Sequence, residues 1–559
     1  MTSHLHPALP FLVGAVLVAF LRGRAATAAY LATPIAALAN LLFLARGEFA
    51  RVPFAGETLV FARSDDLSFL FGLLFCLASV AGFLFSARVR DPWQRVAAPV
   101  YVAGGIGAVY AGDLVSLLLS WEVLALSSVF LIFARRRPES LRAGLRYLVP
   151  QLGSGVLLMI GIAIRAASGE GIAFGAMSLD DPGALLIFLA IGIKCAFPGF
   201  HTWLTDGYAS ATPSGAVFLC SITTKVAVYA MARGFAGTEV LVTIGVAMAV
   251  FPIFYAVIEN DLRRVLAYSM INQIGFMMVG IGIGSDLGIN GAVAHAFNDV
   301  FFKGLLFMSM GAVLARTGTI QASELGGLVR TMPFTAGACM IGAASISAFP
   351  LFSGFVSKSM IMVAAAEAHA DLAWFLLLFA AAGVFHHAGI KIPFFAFFAH
   401  DSGRRPAEAP LEMRLGMGFS ALMCVVIGCA PGLLYALLPN AMDYWPYDAF
   451  HVISQLQLLF FAALAFTTLQ LTGIYPPELR SVNLDLDWLA RAASARFVQF
   501  FRGPASRWGT AVSAGVGKLS RDVMRGAPSQ LLPGLSPLES SVLLALVMLF
   551  VALVASFLT

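Results

Sequence analysis

Ile191–Tyr229 reads IGIKCAFPGFHTWLTDGYASATPSGAVFLCSITTKVAVY. Two lysines, Lys194 and Lys225, stand inside runs otherwise apolar enough to cross a membrane, and Pro198-Gly199 interrupts the helix after the first. The polar turn that follows carries His201, Asp206 and Pro213. An ammonium within a membrane costs about 2.5–3.5 kcal/mol on insertion scales, so its presence reads as functional. A broken helix beside it is tolerated only where the freed backbone lines protein or water. The stretch therefore reads as part of an ion path through an all-α membrane protein.

The bulk composition agrees. Of 559 residues, 59% are hydrophobic and 12% charged, with a mean hydropathy of +0.86. Soluble domains carry about 25% charged residues, so the length is spent on membrane spans. The net charge is only +5, and the basic residues fall between apolar runs. Positive-inside topology explains them, and nucleic acid is not an expected partner. Cys76, Cys195, Cys220, Cys339, Cys424 and Cys429 lie in apolar runs without CxxC or other metal spacing. They read as small core residues, with no disulfide, metal or cofactor role. The opening MTSHLHPALPFLVGAVLVAF lacks a basic n-region and a cleavage site, and reads as a first transmembrane helix.

About sixteen spans are predicted, near residues 7–22, 25–46, 66–87, 96–112, 113–133, 143–166, 184–208, 212–233, 239–258, 264–284, 290–315, 333–369 (broken), 372–399, 412–438, 450–473 and 538–558. Arginine clusters follow odd-numbered spans, as at Arg22 and Arg24, Arg88–Arg95, Arg135–Arg142, Arg263 and Arg264, Arg404 and Arg405, and Arg491–Arg507. Those loops are expected to be cytoplasmic and both termini outside. Residues 50–65 alternate apolar and polar around Ala55-Gly56, which predicts an external β-hairpin. Residues 481–537 form a lateral segment, within which 481–525 are too charged to span. Trp488, Leu489, Phe497, Phe500 and Phe501 beside arginines suit either a helix along the cytoplasmic surface or a connector.

An internal echo divides the chain further. AFPGF at Ala196–Phe200 returns as AFPLF at Ala348–Phe352, 152 residues on, each beside a lysine, Lys194 and Lys358. The first break falls in an odd span and the second in an even one, the pattern of inverted repeats. The expected organisation is 1–95 for N-terminal helices with the hairpin, 96–233 and 239–400 for two repeats, 401–480 for additional helices, 481–537 for the lateral segment and 538–559 for a last span.

Glu122, Lys194, Lys225, Asp299, Lys303 and Lys358 are the candidate buried ionisable residues, with His295 nearby. Six charges facing lipid at about 3 kcal/mol each would cost roughly 18 kcal/mol, more than the roughly 5–15 kcal/mol by which proteins are stable. They must face the interior. Glu122 stands nine residues into its span, Lys194 ten, and Lys225 and Lys303 thirteen. At about 1.5 Å per residue each is roughly 13–20 Å deep, near the middle of the hydrocarbon, so the charges form a row in the membrane plane. His295, Asp299 and Lys303 recur at i, i+4, i+8, one stripe of one helix. A carboxylate between an imidazole and an ammonium is a protonatable relay, and His295 also fits a hydrogen-bonded core position. For Glu122, Lys194 and Lys225 the competing reading is a structural ion pair. His201 and Asp206, with His387 and Lys391 near the end of their span, are possible accessory sites. His386, His387 and Lys391 fit a solvated, snorkelling position equally well.

Several motifs together resemble one family. Ser120-Trp121-Glu122, the 191–229 stretch with its lysines 31 residues apart, NDLRRVLAYSMINQIGF (Asn260–Phe276), HAFNDVFFKGLLFMSMGAV (His295–Val313), ELGGLVRTMPF and AFPLFSGFVSKS, as far as Ser359, are similar to the proton-conducting antiporter-like subunits. That group comprises the complex I membrane-arm subunits and the Mrp-type sodium/proton antiporter subunits, and the similarity covers roughly residues 66–400. It implies fourteen core helices with two inverted five-helix repeats. It also implies Glu122 and Lys194 as a coupled pair, Lys225 as connector, Lys303 with His295 as central carrier, and Lys358 at the outlet. The chain departs from the family at Thr205, where HTWLPDA is usual, and at Asp299, where some relatives have histidine. Gln151 and Ser154 stand where one complex I subunit has a charged pair. YWPYDAFHVISQLQLLFF and LDLDWLARA resemble the D-type subunit of a Mrp antiporter.

The resemblance implies a proton-translocating, non-enzymatic subunit of a multi-subunit monovalent cation (sodium)/proton antiporter in a bacterial cytoplasmic (inner) membrane, with other membrane subunits as partners and no cofactor. Two further readings share the same proton row, a proton-pumping subunit of a complex I-like oxidoreductase or membrane hydrogenase, and the membrane subunit of a bicarbonate-accumulating complex. HExxH and GxSxG are absent from the sequence, which argues against an intramembrane enzyme.

Overall fold

Residues 5–54, 57–476, 478–479, 483–485 and 488 are described by the computed structural model. The expected span at 538–558 and nearly all of the lateral segment lie outside the described residues. Two short-looped helices open the chain, α1 (Leu9–Phe20) and α2 (Gly23–Leu42). The expected hairpin follows as β1 (Gly47–Phe54) and β2 (Glu57–Ser64), antiparallel, with Phe54 opposite Glu57. Then come α3 (Asp66–Phe85), α4 (Pro92–Tyr110), α5 (Leu114–Phe133) and α6 (Pro138–Ala167). The broken span is α7 (Ala184–Lys194) and α8 (Thr202–Ser210). The next span is also interrupted, at Ile222, giving α9 (Pro213–Ser221) and α10 (Thr223–Gly234).

The second half holds α11 (Val240–Ile258), α12 (Leu262–Ile283) and α13 (Asp286–Thr317). The second broken span is α14 (Pro333–Ile346) with α15 (Ser353–Glu367). In α16 (Asp371–Phe398) the turns Phe385–Ile390 and Phe394–Phe398 are π-helical, which the sequence did not announce. Helices α17 (Leu411–Cys429) and α18 (Ala449–Leu471) complete the described part. Among the described residues, eleven helices are long and apolar enough to cross a membrane, so this is a polytopic helical membrane protein.

Helix starts follow local chemistry. Pro92, Pro138, Pro213 and Pro333 occupy first turns, where a missing N–H costs nothing. Asp65, Asp91, Asp113, Thr212, Asp261 and Ser285 accept from first-turn amides. Helices α12 and α13 are buried all round and form the centre, whereas α18 presents most of its surface outward.

Helices α4, α5 and α6 begin at 92, 114 and 138, and α11, α12 and α13 at 240, 262 and 286, a constant offset of 148. Asp113 makes an isolated backbone bridge to Ala173, and Asp261 to Gln321, again 148 residues apart. The two breaks match in backbone detail. Ala196 and Ala348 both have positive φ (63° and 58°), as do Gly199 and Leu351 (88° and 72°). Phe197 N donates to Gly192 O and Phe349 N to Ala344 O, both at 3.0 Å. Left-handed alanine and leucine cost about 1–2 kcal/mol each, so both breaks are held by their surroundings.

Asp113 does more than cap α5. Its Oδ1 accepts from Ser116 N at 2.7 Å and its Oδ2 from Val60 N of the hairpin at 2.6 Å. Asp113→Ala is expected to lower stability by about 1–2 kcal/mol, and Asp113→Asn by less. Thermal unfolding of the purified protein in detergent measures both.

Candidate functional site

The charged row is assembled from helix ends and breaks. Lys194 is the last residue of α7, fully buried, and its Nζ donates to Trp121 O at 2.9 Å. The same ammonium lies 4.2 Å from the centroid of the Trp121 ring, a cation–π contact. Trp121 Nε1 donates to Ser154 Oγ at 2.9 Å, and Ser154 donates to Ala190 O at 2.7 Å. Helices α5, α6 and α7 are thereby tied together around the lysine. Glu122, half-buried, packs on Gly155 of α6, where an added Cβ would come within 1.6 Å of Oε1. Among the described residues no Glu122–Lys194 ion pair forms within 4.0 Å. The two groups are linked instead through consecutive residues of α5.

Lys225 follows the interruption at Ile222. It forms a fully buried ion pair with Asp299 of α13 and donates to Cys220 O at 3.2 Å and Thr224 Oγ1 at 3.4 Å. His295, Asp299 and Lys303 share a helix stripe, yet each reaches a different neighbour. His295 Nδ1 pairs with Ser357 Oγ and Nε2 with Gln273 Oε1, both at 3.0 Å. Lys303 Nζ donates to Ser269 Oγ at 2.8 Å. Lys358 Nζ donates to Ile346 O, the last residue of α14, at 3.1 Å, and lies 5.0 Å from the Phe276 centroid. The row thus runs through α7, α10, α13, α12 and α15, with serine and glutamine between the charges. These hydroxyl and amide groups can accept and donate, so protonated and neutral lysines both find partners there.

The accessory residues fall elsewhere. His201 is buried with its ring 4.8 Å from Phe251. Asp206 ion-pairs with Arg146 at 2.8 Å and Arg264 at 3.6 Å. His387 is fully buried within the first π turn, and Lys391, fully buried too, follows that turn.

Two expectations need correction. Arg263 is not a loop residue. It is fully buried in the first turn of α12, and its Nη2 donates to Tyr208 O at 2.8 Å and Ala211 O at 3.0 Å. A guanidinium with several donors suits the unpaired carbonyls at the end of α8. Cys429 is exposed at the end of α17, unlike the other five cysteines. Sequence reading also passed over Ser269, Gln273 and Ser357. Polar residues spaced along SMINQ and SGFVSKS were the available signal.

The described residues thus form a helical membrane protein with three interrupted helices and a buried lysine–carboxylate row. Residues 111–385 match the family described as NADH:quinone oxidoreductase/Mrp antiporter, TM. The chain is 30% identical over 404 residues to a probable K(+)/H(+) antiporter subunit of the A/B type from Rhizobium meliloti, covering 66% of this chain and 40% of that protein. It is 30% identical over 321 residues to the D-type Na(+)/H(+) antiporter subunit of Alkalihalophilus pseudofirmus, covering 52% and 65%. Its fold matches a chain of the Mrp complex from Dietzia sp. with a TM-score of 0.75 at 22% identity, over 97% of this chain and 65% of that one. The chain therefore spans less than two thirds of the length of these two curated relatives.

Proposed function

We propose that this chain is a proton-translocating subunit of a multi-subunit antiporter that exchanges a monovalent cation, sodium first, for protons. The observation that carries this reading is the row of fully buried lysines at Lys194, Lys225 and Lys303, each hydrogen-bonded to a carbonyl or hydroxyl oxygen, with Lys358 beyond. Protons pass from the Glu122–Lys194 end through Lys225–Asp299 to Lys303, with His295 alongside, and leave near Lys358. The names of the antiporter relatives support a transporter subunit rather than an enzyme. The family's NADH:quinone oxidoreductase members support a second reading, a pumping subunit of a redox complex, which would use the same row. The chains that co-purify with this one separate the two readings.

Residues 96–233 and 239–400 act as two inverted five-helix repeats, supported by the constant 148-residue offset and the matched breaks. The protein works in the inner membrane with its arginine loops on the cytoplasmic side and its termini and hairpin outside, supported by the arginine pattern of the sequence. Lys303→Met, in the assembled complex in everted vesicles, is expected to lower cation-dependent proton exchange about 100-fold or more. Exchange retained at the parent rate by both Lys303→Met and Lys194→Met would sink the reading.

A further inference from the structure

Lys391 occupies a different kind of site from the lysines of the row. Its Nζ donates to Ala256 O at 3.3 Å, Val257 O at 2.6 Å and Glu259 O at 2.7 Å, and ion-pairs with Glu478 Oε1 at 2.9 Å. The first two carbonyls belong to the last turn of α11, whose end leaves acceptors unpaired and carries partial negative charge. Four oxygens, one of them ionised, thus converge on a single buried positive charge. Glu478 also lines a cavity of about 460 Å³ with Ser323, His400, Gln470 and Tyr475, so water reaches the edge of the cluster.

We propose that this oxygen cluster is a monovalent-cation site, and that the Lys391 ammonium and a dehydrated sodium or potassium ion occupy it by turns. The assignment rests on the exchange reading above and names where the cation enters. When Lys391 gives its proton to water in the cavity and its amine withdraws, three carbonyls and one carboxylate remain. That set is all oxygen and carries a single negative charge, which one monovalent cation neutralises as the ammonium did. A divalent cation would leave an excess charge and find too few carboxylates. A simple cap of the α11 end would need the carbonyls alone; Glu478 and the cavity are what a cap does not require. Lysine suits the exchange, because an arginine does not give up its proton. Two further features favour movement of the side chain. The π turn Phe385–Ile390 immediately before Lys391 departs from the α-helical ladder and holds His387 fully buried within it. Glu259 keeps its carboxylate out of the cluster, with Oε1 accepting from Asn260 N at 2.9 Å and Asp261 N at 3.0 Å.

Equilibrium binding of radiolabelled sodium and of rubidium to the purified complex, at several pH values, tests the site. Glu478, Glu259, Arg264, His386 and His387 are the other titratable or charged groups around Lys391, so each variant is compared with the parent at every pH. The parent should lose affinity about tenfold per pH unit on acidification, as one proton is exchanged per cation. Lys391→Met should bind with an affinity nearly independent of pH. Glu478→Gln, which keeps the ammonium and all three carbonyls, should weaken binding at least about tenfold, the equivalent of about 1.4 kcal/mol. Preference for sodium or for rubidium in these assays supports the site and identifies the ion. Parent-like affinity and pH dependence in Glu478→Gln, or in a folded Lys391→Met, overturns it. Lys303→Met separates the two proposals. If the site stands, binding persists in that variant while exchange is lost; if exchange persists, the proton row fails and the binding result still judges the cation site.

Discussion

Asp299→Ala is expected to lower stability by about 3–5 kcal/mol and to abolish exchange. Asp299 and Lys225 are both fully buried and ion-paired, between α13 and the break of α9 and α10. Removing the carboxylate leaves an ammonium whose remaining partners are Cys220 O and Thr224 Oγ1, both neutral. Breaking a buried pair on one side carries a cost of about that size, whereas replacing both partners with apolar groups of similar volume is often neutral. The double variant Lys225→Met/Asp299→Leu should therefore recover most of the unfolding midpoint and none of the exchange. Thermal unfolding in detergent and proton uptake by everted vesicles report the two quantities separately. A double variant as unstable as Asp299→Ala would mean that packing, not charge pairing, holds these helices together.

Gly428→Ala should disable the protein from outside the row. Gly428 lies near the end of α17, and a Cβ there would stand 2.3 Å from Leu351 O and 2.4 Å from Phe352 Cα. Those atoms are backbone in the second break, where Leu351 already has φ 72°. They cannot turn aside as a flexible side chain would, so overpacking should cost about 1–3 kcal/mol and shift the start of α15, which carries Lys358. Gly418→Ala on the same helix is the control. Its Cβ would meet only Phe334, at 3.8 Å, and alanine should gain up to about 1 kcal/mol of helix propensity. A lower unfolding midpoint and slower exchange are expected for Gly428→Ala alone. Equal behaviour of the two variants would show that the break tolerates displacement.

Much of the architecture was legible before any coordinates. Runs such as 113–133 and 412–438 have the length and apolarity of spans, and α5 and α17 form there. Pro198-Gly199 and Pro350 announced two breaks because proline cannot continue a helix hydrogen-bond ladder. The interruption at Ile222 carried no such mark. It lies between Ser221 and Thr223, and only the tertiary structure brings up Tyr101 of α4, whose hydroxyl accepts from Thr223 N at 3.0 Å.

The sequence by itself determined that Glu122, Lys194, Lys225, Asp299, Lys303 and Lys358 must turn inward, because lipid exposure would cost more than the fold can supply. Helical rise also gave an expected depth, near mid-membrane, for Glu122, Lys194, Lys225 and Lys303. Partner choice belonged to the tertiary structure. The stripe His295–Asp299–Lys303 suggested a relay along one helix, but pairing depends on which helix faces each rung. Asp299 goes to Lys225, Lys303 to Ser269 and His295 to Gln273 and Ser357. The oxygen cluster around Lys391 was hidden for a related reason. Every residue has a carbonyl, so sequence cannot mark the few that a helix end leaves unpaired and packing brings beside Glu478.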